Sequence, residues 1–108
     1  MDKQVVIKLD DYPEDGIYEL EIDSFLIGES SLLLIVHHGQ YHVIENKCGH
    51  FGVPLSNGLI DGSEIICSQH GISFDLDTGK VVNRPYENCD PIKIIPVNKS
   101  GNMLYLEL

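Results

Sequence analysis

KCGHFGVPLSNGLIDGSEIICSQHG, residues 47–71, is the stretch on which the reading of the chain depends. It contains two short pairs, Cys48-x-His50 and Cys67-x-x-His70, separated by 16 residues. Each pair offers one thiolate and one imidazole, and four such groups can complete a first shell around a metal centre. Both pairs lie in Gly-rich segments, not on an alternating strand face, and both run Cys before His. Between them, Leu59 to Ile66 reads as a hairpin closed at Asp61-Gly62, a strong turn dipeptide that would bring the two loops together. A lone Cys is usually a small core hydrophobe and a lone His a surface group. Two matched pairs argue for ligation instead.

Outward from this stretch the chain reads as a small β scaffold. Gln4 to Leu9 alternates, with Val5, Ile7 and Leu9 on one face, and Asp10 to Gly16 is a polar turn containing Pro13. In Ile17 to Asp23, Tyr18, Leu20 and Ile22 face in while Glu19, Glu21 and Asp23 form a solvated face. Gly28 to Ser30 is a break. Ser31 to His38 is apolar without alternation, as expected of a central strand. It turns at His38-Gly39-Gln40 into Tyr41 to Glu45. Asn46 to Gly58 is a first long loop and Cys67 to Gly71 a second. Ile72 to Leu76, the turn Asp77-Thr78-Gly79 and a short strand near Val81-Val82 follow. Asn83 to Pro91 is a third loop, and Ile92 to Val97 with Met103 to Leu108 is expected to form a closing hairpin. No window shows a sustained helical period.

The bulk properties exclude several classes. At 108 residues the expectation is a single domain, 1–108. Formal net charge is −10, from 17 acids against 7 Lys and Arg, so nucleic acid is not an expected partner and basic protein surfaces are. No apolar run approaches the roughly 18 residues of a membrane span. MDKQVVIKLDDYPED lacks the apolar core of a signal peptide, so the expected location is the cytoplasm. The three cysteines, Cys48, Cys67 and Cys89, do not suggest a disulfide framework.

Two metal centres fit the paired ligands. A zinc site of two Cys and two His is common, but zinc fingers draw both thiolates from one arm and both imidazoles from a helix. Here each arm is mixed and no helix follows. The alternative is a [2Fe–2S] cluster in which two His replace two Cys on one iron.

CGH at 48–50 and CSQHG at 67–71, continued by HGISFDLDTGK, resemble the Rieske family's Cys-x-His, Cys-x-x-His and His-Gly-x-x-Phe-x-x-x-Thr-Gly runs. The similarity covers about the C-terminal two thirds of the chain. It implies an all-β Rieske fold: an antiparallel β-sandwich with a small cluster-binding subdomain at about residues 46–91, holding one [2Fe–2S] cluster per chain. Cys48 and Cys67 would bind one iron and His50 and His70 the other. The departures from the family pattern are also informative. The quinol-oxidising Rieske proteins carry an extra disulfide-bonded Cys in each loop, absent here at Val53 and around Gln69. They also carry a Ser and a Tyr where this chain has Ile72 and Phe74. Without those hydroxyl donors the potential is expected at the low end of the Rieske range, near roughly −150 mV.

The resemblance implies a soluble, monomeric ferredoxin that passes single electrons from a flavin-dependent reductase to a terminal oxygenase, through transient docking, and is not catalytic alone. The docking rim would include Phe51 to Pro54, Ser68-Gln69 and Arg84-Pro85. The small subunit of an assimilatory nitrite reductase and a zinc-stabilised interaction domain are the alternatives. Cys89 reads as a free thiol. His37, His38 and His42 surround a hairpin turn, where a second metal site is conceivable and solvated imidazoles are the simpler reading.

Overall fold

The computed structural model describes residues 5–20, 32–46, 55–67, 71–82 and 91–107. Among the described residues, ten strands run in the order β1 (Val5–Lys8), β2 (Gly16–Leu20), β3 (Leu32–His37), β4 (Gln40–Glu45), β5 (Leu59–Asp61), β6 (Glu64–Ile66), β7 (Ser73–Asp75), β8 (Ile94–Ile95), β9 (Val97–Ser100) and β10 (Met103–Leu106). All pairings are antiparallel, and the described residues contain no α-helix. One 3-10 turn, Leu9–Asp11, ends β1 and buries Leu9. The all-β, antiparallel architecture expected from the sequence is the one observed.

The strands form three sheets, β1-β10-β9, β2-β3-β4-β8 and β5-β6-β7. The four-stranded sheet is the shared wall between two cores. Leu32, Leu34 and Val36 of β3 pack with Ile7, Leu104 and Leu106 of the first sheet. Leu33 and Ile35, pointing the other way, pack with Ile65, Phe74 and Cys67 beside the third. Leu32 to Val36 are therefore buried on both faces of the pleat, which is why they read as an unbroken apolar run. Each such side chain contributes about 1.5–3 kcal/mol of gross transfer energy. Charge at any of them would be buried against one core or the other.

The turns follow from their residues. The β3–β4 hairpin is closed by His38-Gly39, with φ of 49° and 78°, so both central residues are left-handed as in a type I′ turn. The Leu59–Ile66 hairpin turns one residue later than the sequence suggested. Asp61 pairs with Glu64, so the central residues are Gly62-Ser63, and Gly62 (φ 61°) takes the first, left-handed place that Gly alone fills easily.

The expected closing hairpin is corrected. Ile92–Val97 is not one strand. Ile94–Ile95 pairs with β4, whereas Val97–Ser100 pairs with β10. Pro96 separates them, because it has no N–H for a ladder and its carbonyl accepts the Glu107 N–H at 2.9 Å instead. The proline thus hands the chain from the central sheet to the first one. The short strand near Val81-Val82 is reduced to a single bridge between Val81 and Phe74. Ile22, Glu21 and Asp23 lie outside the described residues.

Candidate metal centre

The three segments read as loops in the sequence are described only at their bases, which lie at the margin of the second core. The second loop opens at Cys67, directly after β6. The Cys67 N–H donates to the Ile72 carbonyl at 2.8 Å, and the Gly71 N–H donates to the Cys67 carbonyl at 3.0 Å. Gly71 has φ 67°, a conformation that suits Gly and closes the loop within six residues, 67–72. Cys67 is a free thiol, 1% exposed, packed with Phe74 and Ile72. Ser68, Gln69 and His70 lie outside the described residues.

The first loop is tied at its base by Asn46, a residue the sequence reading treated only as a loop boundary. Its Oδ1 accepts the Leu55 N–H at 2.8 Å and the Ser56 N–H at 3.1 Å. Its Nδ2 donates to Glu19 Oε1 at 3.2 Å, so Glu19 is part of this brace and not simply a solvated carboxylate. The side chain spans the open ends of residues 47–54, in the manner of an Asx motif holding a turn. Gly58 follows because no side chain fits there: a Cβ would stand 2.6 Å from the Ile66 carbonyl oxygen. Cys48, His50 and Phe51 to Pro54 lie outside the described residues.

The third loop is anchored by the Asp75–Lys80 turn. Asp75 Oδ1 accepts the N–H groups of Asp77 (2.7 Å) and Thr78 (3.1 Å), and the Gly79 carbonyl accepts the Ile92 N–H at 2.9 Å. At Gly79 a Cβ would meet the Ile92 carbonyl oxygen at 2.3 Å, and φ is 78°. Gly79 is legible as a turn residue, but its close approach to the far side of the third loop is not. Arg84, Pro85 and Cys89 lie outside the described residues.

The three bases converge. Leu55 from the first loop, Cys67 and Ile72 from the second and Ile92 from the third belong to one buried cluster. Ile72 and Phe74 are fully buried and carry no hydroxyl, as the sequence implied. Cys67 thus places a buried sulfur at the edge of an apolar core, and two Cys with two His, the set expected from the sequence, is a donor chemistry suited to a mixed Cys/His [2Fe–2S] centre.

The histidines of the hairpin are described. His42 sits with its Nδ1 3.9 Å from Asp77 Oδ1. Burial lowers its pKa below the ordinary 6.5, against the opposing pull of Asp77 and Asp75 and with a smaller push from His37. Among the described residues, Asp15, His37 and His38 offer ligand atoms that all lie within 4.8 Å of one another. No helix among the described residues is long and apolar enough to cross a membrane.

Comparison with known proteins is consistent with this geometry. The family model described as the Rieske [2Fe-2S] domain matches residues 2–99. The ferredoxin component of the alkene monooxygenase system of Xanthobacter autotrophicus is 33% identical over 93 residues, covering 85% of this chain and 74% of that protein. Apoptosis-inducing factor 3 of Mus musculus and of Homo sapiens is 32% identical over 59 residues, 55% of this chain, and the match spans only 10% of those longer proteins. Among solved structures, a chain of the complex of reduced oxygenase and oxidized ferredoxin in carbazole 1,9a-dioxygenase superposes with a TM-score of 0.77 at 24% identity, over 97% of this chain and 94% of that one, which establishes likeness of fold.

Proposed function

Since the chain belongs to the Rieske [2Fe–2S] domain family, we propose that it is a soluble, low-potential ferredoxin that carries single electrons from a flavin-dependent reductase to a terminal oxygenase. The whole chain is one Rieske domain, with residues 46–91 as the cluster-binding part. Cys48 and Cys67 hold one iron, and His50 and His70 the other. When bound, the cluster supplies reversible one-electron chemistry. The chain's own residues do the rest. Asn46, Gly71 and Gly79 pin the loop bases, so that ligands from separate loops meet with little freedom to lose. The second core keeps water from Cys67.

The observation that carries this reading is the convergence of all three loop bases on the core that buries Cys67. The named partner class is supported by the ferredoxin component of the alkene monooxygenase system, a relative of which this chain covers 74%. The absence of hydroxyls at Ile72 and Phe74 favours a midpoint near roughly −150 mV. The net charge of −10 favours docking on a basic face of the partner. The protein acts as a monomer in the cytoplasm.

The test begins with aerobically purified protein. A red-brown colour and a rhombic EPR signal on reduction are expected, with a negative midpoint by potentiometric titration. Cys67→Ser and His70→Ala should abolish the mixed-ligand spectrum, and Cys89→Ala should preserve it. Reduction by a flavin-dependent reductase and reoxidation by a terminal oxygenase should slow as salt is added. Colourless protein with stoichiometric zinc, or a clearly positive midpoint, would sink the assignment.

A further inference from the structure

At the turn end of the β3–β4 hairpin, the structure assigns a second metal site, for a zinc-class divalent transition ion, to Asp15, His37 and His38. It uses none of the proposed cluster ligands. The register creates it. Gly16 pairs with Val36, so Asp15, just before β2, faces His37 across the sheet edge. His38 follows in the left-handed first position of the turn, and its N–H donates to Asp15 Oδ2 at 3.1 Å. That bond holds the carboxylate beside both rings. His37 Nδ1 is 4.0 Å from the same oxygen, and the two imidazole centroids are 4.1 Å apart, edge to face.

The residue before Asp15 is tied from the other side. The Tyr18 hydroxyl donates to the Glu14 carbonyl at 2.6 Å, and the Tyr12 and Tyr18 rings pack edge-on at 4.9 Å. The bend that presents the carboxylate is thus braced before any ion arrives. One ligand atom from each of the three side chains already lies within 4.8 Å of the other two. Rotations of two exposed side chains and one half-buried one would bring these atoms to bonding distance of a single ion.

Two imidazoles and one carboxylate form a borderline donor set. It suits Zn(II), Ni(II) or Cu(II) better than Ca(II) or Mg(II), which prefer oxygen ligands throughout. Three protein ligands leave coordination positions for water or a small anion. Space for these exists, because Asp15 and His37 line an open hollow of about 410 Å³ that Leu59 and Ile60 close on its other side. Asn46 itself stands at the open end of the same hairpin, about 17 Å away along β3 at the usual strand rise, while Ser56, whose N–H it holds, lines the far wall of the hollow. A bound ion would clip the start of β2 to the turn of β3–β4.

The test is zinc titration of the cluster-loaded protein by calorimetry, with iron counted before and after. One zinc per chain should bind with no loss of iron, and the thermal midpoint should rise with zinc by mass action. His38→Asn keeps a residue that accepts the left-handed turn but removes the imidazole, and should weaken binding more than about tenfold. Asp15→Asn keeps an acceptor for the His38 N–H and removes the charge; it should weaken binding as well. The control Asp10→Asn, an exposed carboxylate elsewhere, should leave it unchanged. Zinc uptake that these substitutions do not alter, uptake matched by iron loss, or no saturable binding at all would overturn the assignment.

Discussion

Asn46→Ala tests the claim that the first loop is held by one side chain. The substitution removes the acceptor shared by the Leu55 and Ser56 N–H groups and the donor to Glu19. Leu55 is fully buried, so its amide cannot simply turn to solvent. A hydrogen bond to a partly buried amide is worth about 1 kcal/mol net, and more when the partner is left orphaned. Two such amides amount to about 2–3 kcal/mol, with the exposed Glu19 contact adding a few tenths. The loss falls on the loop base, so local opening should become about 30- to 150-fold more frequent, at roughly 1.4 kcal/mol per decade. The assay is the bleaching rate of the visible absorption in excess iron chelator, with the denaturant midpoint measured in parallel. Asn46→Asp separates the contributions. It keeps an acceptor for both amides but sets a negative charge against Glu19, so its bleaching should be slower than that of Asn46→Ala and should slow further with salt. A bleaching rate for Asn46→Ala within about twofold of the parent, well below the change that a 2 kcal/mol loss requires, would refute the brace.

The remaining predictions concern other parts of the molecule. Gly79→Ala and Gly39→Ala both place a Cβ at positive φ, but only at Gly79 does that Cβ meet a backbone oxygen, at 2.3 Å. Gly39→Ala should cost about 1 kcal/mol and Gly79→Ala at least about twice that, read as denaturant midpoints; equal losses would contradict the close approach to Ile92. Phe74→Tyr adds a hydroxyl beside Cys67 and should raise the midpoint potential by about 40–60 mV, the one-electron equivalent of a single hydrogen bond, in a potentiometric titration. His42 binds its proton less tightly in the folded chain than its ordinary 6.5. The unfolded chain therefore holds more protons just below that pH, and stability falls as pH drops through 6.5 towards the lowered value. His42→Gln should flatten that acid limb of the stability profile, measured by denaturant titration across the window.

Much of the scaffold was legible because burial leaves a periodic trace. Val5, Ile7 and Leu9 alternate because one side of their segment faces the first core. Leu32 to Val36 do not alternate because both sides of theirs are covered. What escaped the sequence was set by contacts between distant residues. Nothing local to Ile92–Val97 reveals that its halves pair with different strands, although Pro96 marks the place where a ladder must break. The hairpin turn at Gly62-Ser63 was displaced by one residue because Asp-Gly suits more than one turn position. Cys67 was picked out by its pairing with His70. Asn46 was not, since an Asn before a loop is ordinary and its partners Leu55 and Glu19 are far away in sequence. The grouping of His37 and His38 was visible, but their third partner, Asp15, arrives only through the β2–β3 register.

The strand that both cores share also bears on the order in which the molecule is assembled. β3 and β4 are joined by a two-residue turn, so their pairing costs little loop entropy, whereas β1 must find β10, Val5 against Leu106. The hairpin is expected to form in the folding transition state, with φ-values near one half or above for Leu34→Ala and Ile35→Val and near zero for Ile7→Val. On that order, the core that gathers the loop bases can condense on one face of the hairpin while its other face is still uncovered. Cofactor insertion would then act on a half-built chain, and the pairing of β1 with β10 would seal a protein already loaded.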